Sequence, residues 1–224
     1  NIGRPGVGVN PLRGQNNVQG AADMGCQPHQ GAGYFEMIDL DVQKRYSEFY
    51  GTPAPTEPGW KIPQMFDAAI EGKLKALWLM GEDVVQTDPD AHHVRHAMES
   101  LDFLVVQEIF MTETAKYAHV ILPASSFLEK SGTFTNAERR VQRVNATVKP
   151  LEGTKPDGQI MCEILQRFGF PQADYTPDGV LAEIAQIVPF FKGITWANLD
   201  INGKQWPVQE GGVDTQILHQ TEFK

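Results

Sequence analysis

Lys75-Ala-Leu-Trp-Leu-Met-Gly-Glu-Asp83 decides how this chain folds. An unbroken apolar run from Ala76 to Met80 is the pattern of a short strand buried on both faces of a parallel sheet, and Gly81-Glu82-Asp83 releases it into a turn. Downstream, Asp88-Pro89 supplies an N-cap and a first-turn proline for a helix through Leu101. Phe103-Leu-Val-Val-Gln107 then repeats the strand pattern, Thr112 is placed to cap a short helix through Tyr117, and His119-Val-Ile-Leu-Pro123 is a third strand closed by its proline. Strand, helix, strand, helix, strand implies parallel pairing with right-handed crossovers, hence an α/β, Rossmann-like sheet with flanking helices in three layers. In such a sheet the ligand crevice lies outside the carboxyl ends of the strands, so Gly81-Glu82-Asp83, Gln107-Glu108 and Pro123-Ala124-Ser125 are expected on one edge.

Upstream, residues 1–33 are rich in glycine, asparagine and glutamine with neither helical nor strand period, and read as an extended loop. So long a loop is costly in entropy unless it wraps something. A helix is expected over Leu40 to Tyr50, prolines forbid regular structure between Thr52 and Pro63, and a helix follows with Phe66, Ala69 and Ile70 on one face and Gly72 as its stop. Beyond the third strand, Ser131 to Pro150 reads as a loop with extended structure over Val141 to Val148. Asp157 caps a helix to Phe168 with Ile160, Ile164 and Leu165 inward, another helix runs from about Asp178 to Val188, and an irregular tail follows.

The 224 residues carry 19 basic and 28 acidic side chains, a formal charge of −9, which disfavours nucleic acid as a partner of the whole surface. No apolar run approaches the roughly 20 residues of a membrane helix. Cys26 and Cys162 are far apart, with no CxxC to bind zinc or an iron-sulfur cluster. His92, His93 and His96 share a helix but lack the Glu of HExxH, and Ser125 and Ser126 sit in no GxSxG elbow, so no metal ligand or nucleophile is assigned here.

Two segments carry binding chemistry. In Gly81-Glu82-Asp83 a glycine lets backbone approach a ligand while carboxylates accept from ribose hydroxyls or a guanine edge; an Asp that only shapes the turn is the plainer alternative. Thr87 adds a hydroxyl at the next helix start. Arg13-Gly14-Gln15-Asn16-Asn17 sets a permanent cation beside amides, suited to gripping an oxyanion, or simply to a solvated loop.

Gly8-Val-Asn-Pro-Leu-Arg-Gly-Gln-Asn-Asn-Val-Gln-Gly20, Met24-Gly25, Met80-Gly-Glu-Asp83 through Gln86-Thr-Asp88, Val106-Gln-Glu-Ile-Phe-Met-Thr112, Val120-Ile-Leu-Pro123 and Gly132-Thr-Phe-Thr-Asn-Ala-Glu-Arg-Arg140 together resemble the molybdopterin-dependent formate dehydrogenase catalytic subunit of the dimethyl sulfoxide reductase family. The resemblance implies an internal segment of a larger multidomain subunit that uses bis(molybdopterin guanine dinucleotide) with Mo or W, whose 4Fe-4S and metal-ligating Cys or selenocysteine residues lie upstream. It implies that Arg13 orients formate, that Gly14, Gln15 and Asn16 contact the pterin, that Gly81, Glu82, Asp83 and Thr87 hold the guanine end, and that Gln107 and Asp157 add contacts. The implied domains are a cofactor-contacting loop over 1–33, a Rossmann-like dinucleotide-binding domain over 34–190 and an irregular extension over 191–224. Electron-transfer subunits with iron-sulfur clusters are implied partners, formate and CO2 the substrates, and the cytoplasm the compartment, with the periplasm as the alternative. His119 departs from the family, which commonly has an acid before its VILP. The rival readings are another molybdopterin oxidoreductase, such as a nitrate reductase, and a non-catalytic nucleotide-binding or subunit-docking module.

Overall fold

The computed structural model describes residues 1–219. In chain order its elements are α1 (Val18–Asp23), β1 (Gln30–Gly31), β2 (Phe35–Glu36), α2 (Leu40–Tyr50), α3 (Ile62–Ile70), β3 (Ala76–Met80), α4 (Val84–Thr87), α5 (Ala91–Glu99), β4 (Phe103–Glu108), a 3-10 turn (Thr114–Tyr117), β5 (Val120–Pro123), β6 (Gly132–Thr135), β7 (Arg140–Val144), α6 (Asp157–Arg167), α7 (Pro177–Ile187), a second 3-10 turn (Pro189–Phe191) and β8 (Lys204–Gln205). They form two compact units: residues 1–59, 131–145 and 175–224, and residues 60–130 and 146–174.

The second unit is the α/β one. Its strands pair in parallel in the order β3-β4-β5, with Met80 opposite Gln107 and Gln107 opposite Leu122, so their carboxyl ends lie level. Leu77, Leu79, Leu104 and Val106 share a parity and pack with Phe66 and Ala69 of α3 and Val94, Ala97 and Met98 of α5. Burial of each such aliphatic side chain is worth about 1.5–3 kcal/mol. Gln107 has the opposite parity and meets Asp157, the first residue of α6, on the other face.

Several local expectations shift. β3 is half-exposed rather than buried on both faces, because it is an edge of the sheet; only β4 is flanked on both sides. The helix after β3 is broken in two: α4 begins after Asp83, and Asp90, not Asp88, caps α5 by accepting from the His93 N–H at 3.1 Å. Asp88 shapes the turn before it, accepting from the Asp90 N–H at 3.0 Å. Glu113 rather than Thr112 holds the cap position of the 3-10 turn, without a side-chain cap bond, while the Thr112 hydroxyl one residue earlier accepts from the Ala115 N–H at 3.2 Å. In α6 the buried positions are Ile160 and Cys162, while Leu165 is exposed, because its inward stripe is narrower than the apolar pattern implies. Asp157 starts α6 without capping it; its carboxylate is engaged by side chains instead.

The first unit is built around the antiparallel sheet β6-β7-β8. The extended structure expected to run on to Val148 is a hairpin whose second strand stops at Val144, Gly132 pairing with Val144 and Thr135 with Val141. Val141, Leu181, Phe191, Ile194, Leu199, Trp206 and Val208 form one core, so much of the C-terminal stretch expected to be irregular supplies packed interior. The compact units thus follow other bounds than 1–33, 34–190 and 191–224: the chain enters each unit more than once, a discontinuity that composition along the sequence does not reveal. Gln220 to Lys224 of that expected extension lie outside the described residues.

Candidate functional site

At the carboxyl edge of the parallel sheet the three strand ends assemble as the topology requires. Gly81 takes φ +63, a conformation that favours glycine, and its N–H donates to the Gln107 carbonyl at 2.9 Å. Glu82 Oε1 accepts from the Thr87 hydroxyl at 2.6 Å. Asp83 turns toward the 3-10 turn at Thr114: Oδ1 accepts from the Thr114 hydroxyl at 2.6 Å and its N–H at 2.9 Å, and Oδ2 accepts from the Glu113 N–H at 3.3 Å. Partial desolvation pushes this carboxyl up, but those hydrogen bonds, with Lys116 nearby, outweigh it and hold Asp83 below the usual carboxylate range. Of the roughly four lone-pair sites of a carboxylate, three are therefore taken. The Thr114 hydroxyl in turn accepts from the Val85 N–H at 3.0 Å, so Asp83 fastens this turn to α4.

Gln107 is fully buried, and its Nε2 donates to Asp157 Oδ1 at 2.7 Å. Lys130 pairs with the other Asp157 oxygen. Gln107 Oε1 has no hydrogen-bond partner among the described residues, and an unpaired buried carbonyl costs about 1–3 kcal/mol. Ser125 is fully buried with its hydroxyl 3.3 Å from that of Thr154, which gives it no nucleophile's exposure. His119 Nδ1 accepts from the Leu104 N–H at 2.9 Å, a sheet contact rather than a catalytic one. Thr114 and Lys130 escaped the sequence reading because they lie 31 and 27 residues from their partners.

Arg13, Gly14, Gln15 and Asn16 lie in the other unit, where they line a cleft of about 460 Å³ with Asn136, Gln142 and Arg143 of the hairpin. The loop is tied down by Asn17, whose Oδ1 accepts from the Thr135 N–H at 2.9 Å. A Cβ on Gly20 would come within 2.2 Å of that oxygen, so glycine is required by close approach. Behind the cleft Asp23, fully buried, accepts from Gln19 Nε2 (2.8 Å), the Tyr34 hydroxyl (2.8 Å) and Trp206 Nε1 (2.9 Å). Burial pushes the Asp23 carboxyl up despite these donors and the nearby Arg139, and both burial and Asp23 push the Tyr34 phenol well up. Asn17, Tyr34 and Arg139 take φ of 58, 61 and 66; they are the non-glycine residues with positive φ among those described. Left-handed backbone at such residues costs on the order of 1 kcal/mol each and clusters where geometry serves a function.

Residues 1–167 match the molybdopterin oxidoreductase family. The chain belongs to that family. It is 44% identical over 226 residues to the "F420-dependent formate dehydrogenase subunit alpha" of Methanocaldococcus jannaschii, aligning over 100% of this chain and 33% of that one. Against the Bacillus subtilis protein named "Probable oxidoreductase YjgC" it is 42% identical over 224 residues, 100% of this chain and 23% of the other. The chain thus spans a quarter to a third of the length of these relatives. Among solved structures, acetylene hydratase from Pelobacter acetylenicus superposes with a TM-score of 0.52 over 73% of this chain and 24% of that one at 19% identity, a likeness of fold. This molybdopterin oxidoreductase chain has, among its described residues, no helix long and apolar enough to cross a membrane and no group of three His, Cys, Asp or Glu placed to hold a metal.

Proposed function

We propose that this chain is part of the catalytic subunit of a formate dehydrogenase, which oxidises formate to CO2 or runs the reverse, and that it lines a bis(molybdopterin guanine dinucleotide) site. The observation that carries the reading is Arg13: an exposed cation, with no ion-pair partner among the described residues, in a cleft it shares with the amides of Gln15, Asn16, Asn136 and Gln142 and with Arg143. The whole-chain likeness to a protein named as a formate dehydrogenase subunit supports the choice of substrate.

Formate is a small carboxylate with one C–H bond to break, and a guanidinium holds such a group in a fixed orientation through paired hydrogen bonds. Arg13 would hold formate, with Gly14, Gln15 and Asn16 facing the pterin. The buried, unpartnered Gln107 Oε1 fits a polar cofactor edge, so Gln107 and Asp157 would take part of the nucleotide, and Gly81, Glu82, Asp83 and Thr87 its guanine end. When bound, the cofactor with Mo or W supplies the redox chemistry, accepting the electron pair that formate gives up. The remainder of the catalytic subunit would bring the metal ligand and the 4Fe-4S cluster, iron-sulfur subunits would carry electrons away, and the assembly would work in the cytoplasm.

Arg13→Ala in the full-length enzyme should lower kcat/KM for formate by about 10²-fold or more while Mo or W content stays within a fifth of wild type. Formate turnover at the wild-type rate in that variant would overturn the assignment.

A further inference from the structure

Arg13 is not the only cation of its cleft. Arg143, on the hairpin strand β7, lines the same space, and no Asp or Glu among the described residues lines it. In a chain with a formal charge of −9, a cleft holding two guanidiniums and no carboxylate is a local reversal of sign.

The neighbours of Arg143 show what sets it apart. Arg140, on the same strand, is neutralised by Glu138 at 2.9 Å and Asp214 at 3.7 Å. Arg139 lies over the Trp206 ring at 4.5 Å, in the field of the buried Asp23. Arg143 stacks on the Trp196 ring at 4.3 Å, and its Nε donates to Asn145 Oδ1 at 3.0 Å. Both partners are uncharged, so they orient the guanidinium without cancelling its charge. With Nε occupied, the two Nη groups are left for a ligand, and these grip a planar carboxylate.

We propose that Arg143 is a second anion-binding residue of this cleft, capturing the small oxyanion substrate that Arg13 then orients, and that Trp196 is its positioning residue. This rests on the formate reading above. Capture by a fixed, unneutralised charge accelerates association and weakens with ionic strength, whereas holding the reacting group sets kcat.

The test uses the full-length enzyme, with initial rates of formate oxidation measured between about 20 and 500 mM NaCl. Arg143→Gln should raise KM for formate about tenfold with kcat changed less than about twofold, and should flatten the fall of kcat/KM with salt. Arg143→Lys, which keeps the charge, should restore most of the salt dependence. Trp196→Leu should give a KM between wild type and Arg143→Gln. An unchanged KM and salt slope in Arg143→Gln, alongside a crippled Arg13→Ala, would overturn this inference and leave the formate reading standing. Loss of Mo or W from Arg143→Gln would also overturn it, by making Arg143 a cofactor contact. A wild-type enzyme that does not turn over formate removes both.

Discussion

At the carboxyl edge of the parallel sheet the charges are answered from within the chain: Asp83 by Thr114 and Glu113, Glu82 by Thr87, Asp157 by Lys130 and Gln107. Around the Arg13 cleft the pattern is inverted. Its lining holds Arg13, Arg143 and several amides with no carboxylate among the described residues, and two of those amides, Asn17 and Gln19, are bonded to Thr135 and to the buried Asp23. The strand edge therefore spends its charged groups on the fold, whereas Arg13 and Arg143 in the cleft have no ion-pair partner among the described residues. Substitutions should tell the two apart.

The largest effect on stability is expected at Asp23. Asp23→Ala leaves Gln19 Nε2, the Tyr34 hydroxyl and Trp206 Nε1 with no shared acceptor in a buried site, which should cost about 3 kcal/mol or more by urea denaturation. Its ionisation has a sign of its own. Burial raises the Asp23 pKa above 3.8, so its contribution favours the folded state fully below pH 3.8 and is lost as pH rises through the shifted value. Asp23→Asn should remove that slope from a plot of stability against pH; an unchanged slope would mean that another buried group titrates there.

Asp83→Ala comes next. It strands the fully buried Thr114 and frees the turn at Thr114–Tyr117, so about 2 kcal/mol should be lost, with faster amide exchange confined to α4 and that turn. In the other pH direction, Asp83 is held low, so its contribution is present above pH 3.8 and is lost as pH falls through the lowered value. If Asp83→Ala keeps full stability and loses only cofactor, the strand edge serves the ligand rather than the fold, and the two regions are built alike.

These cases also mark where the sequence was readable. The parallel sheet was legible because three apolar runs of strand length alternate with capped helices, a local pattern with a single low-energy topology. The strand-end loops followed from that topology. The internal partners of Asp83 and Asp157 were not legible, since the bonds to Thr114 and Lys130 join residues that only the fold brings together. Nor was the first unit: Asp23, Tyr34, Arg139 and Trp206 come from four separated stretches, and nothing in the period or spacing of any one of them points to the others. Arg13 was readable as chemistry, a cation beside amides; that Arg143 shares its cleft was not, since only the fold brings the loop and the hairpin together.

Thr87→Val tests the strand edge at an exposed point. It deletes one hydrogen bond, to Glu82, and should change stability by less than about 1 kcal/mol. A fall in cofactor content of the full-length enzyme at that small cost would mean that the Glu82–Thr87 pair serves the ligand rather than the fold.

The smallest effect on stability should come from the residue expected to matter most for turnover. The Arg13 side chain is exposed and has no ion-pair partner among the described residues, so no buried group is stranded when it is removed. Arg13→Ala should shift the unfolding free energy by no more than about 0.5 kcal/mol, as exposed substitutions do. A loss of 2 kcal/mol instead would mean that Arg13 is answered from within the chain after all, and the cleft would then be built like the strand edge.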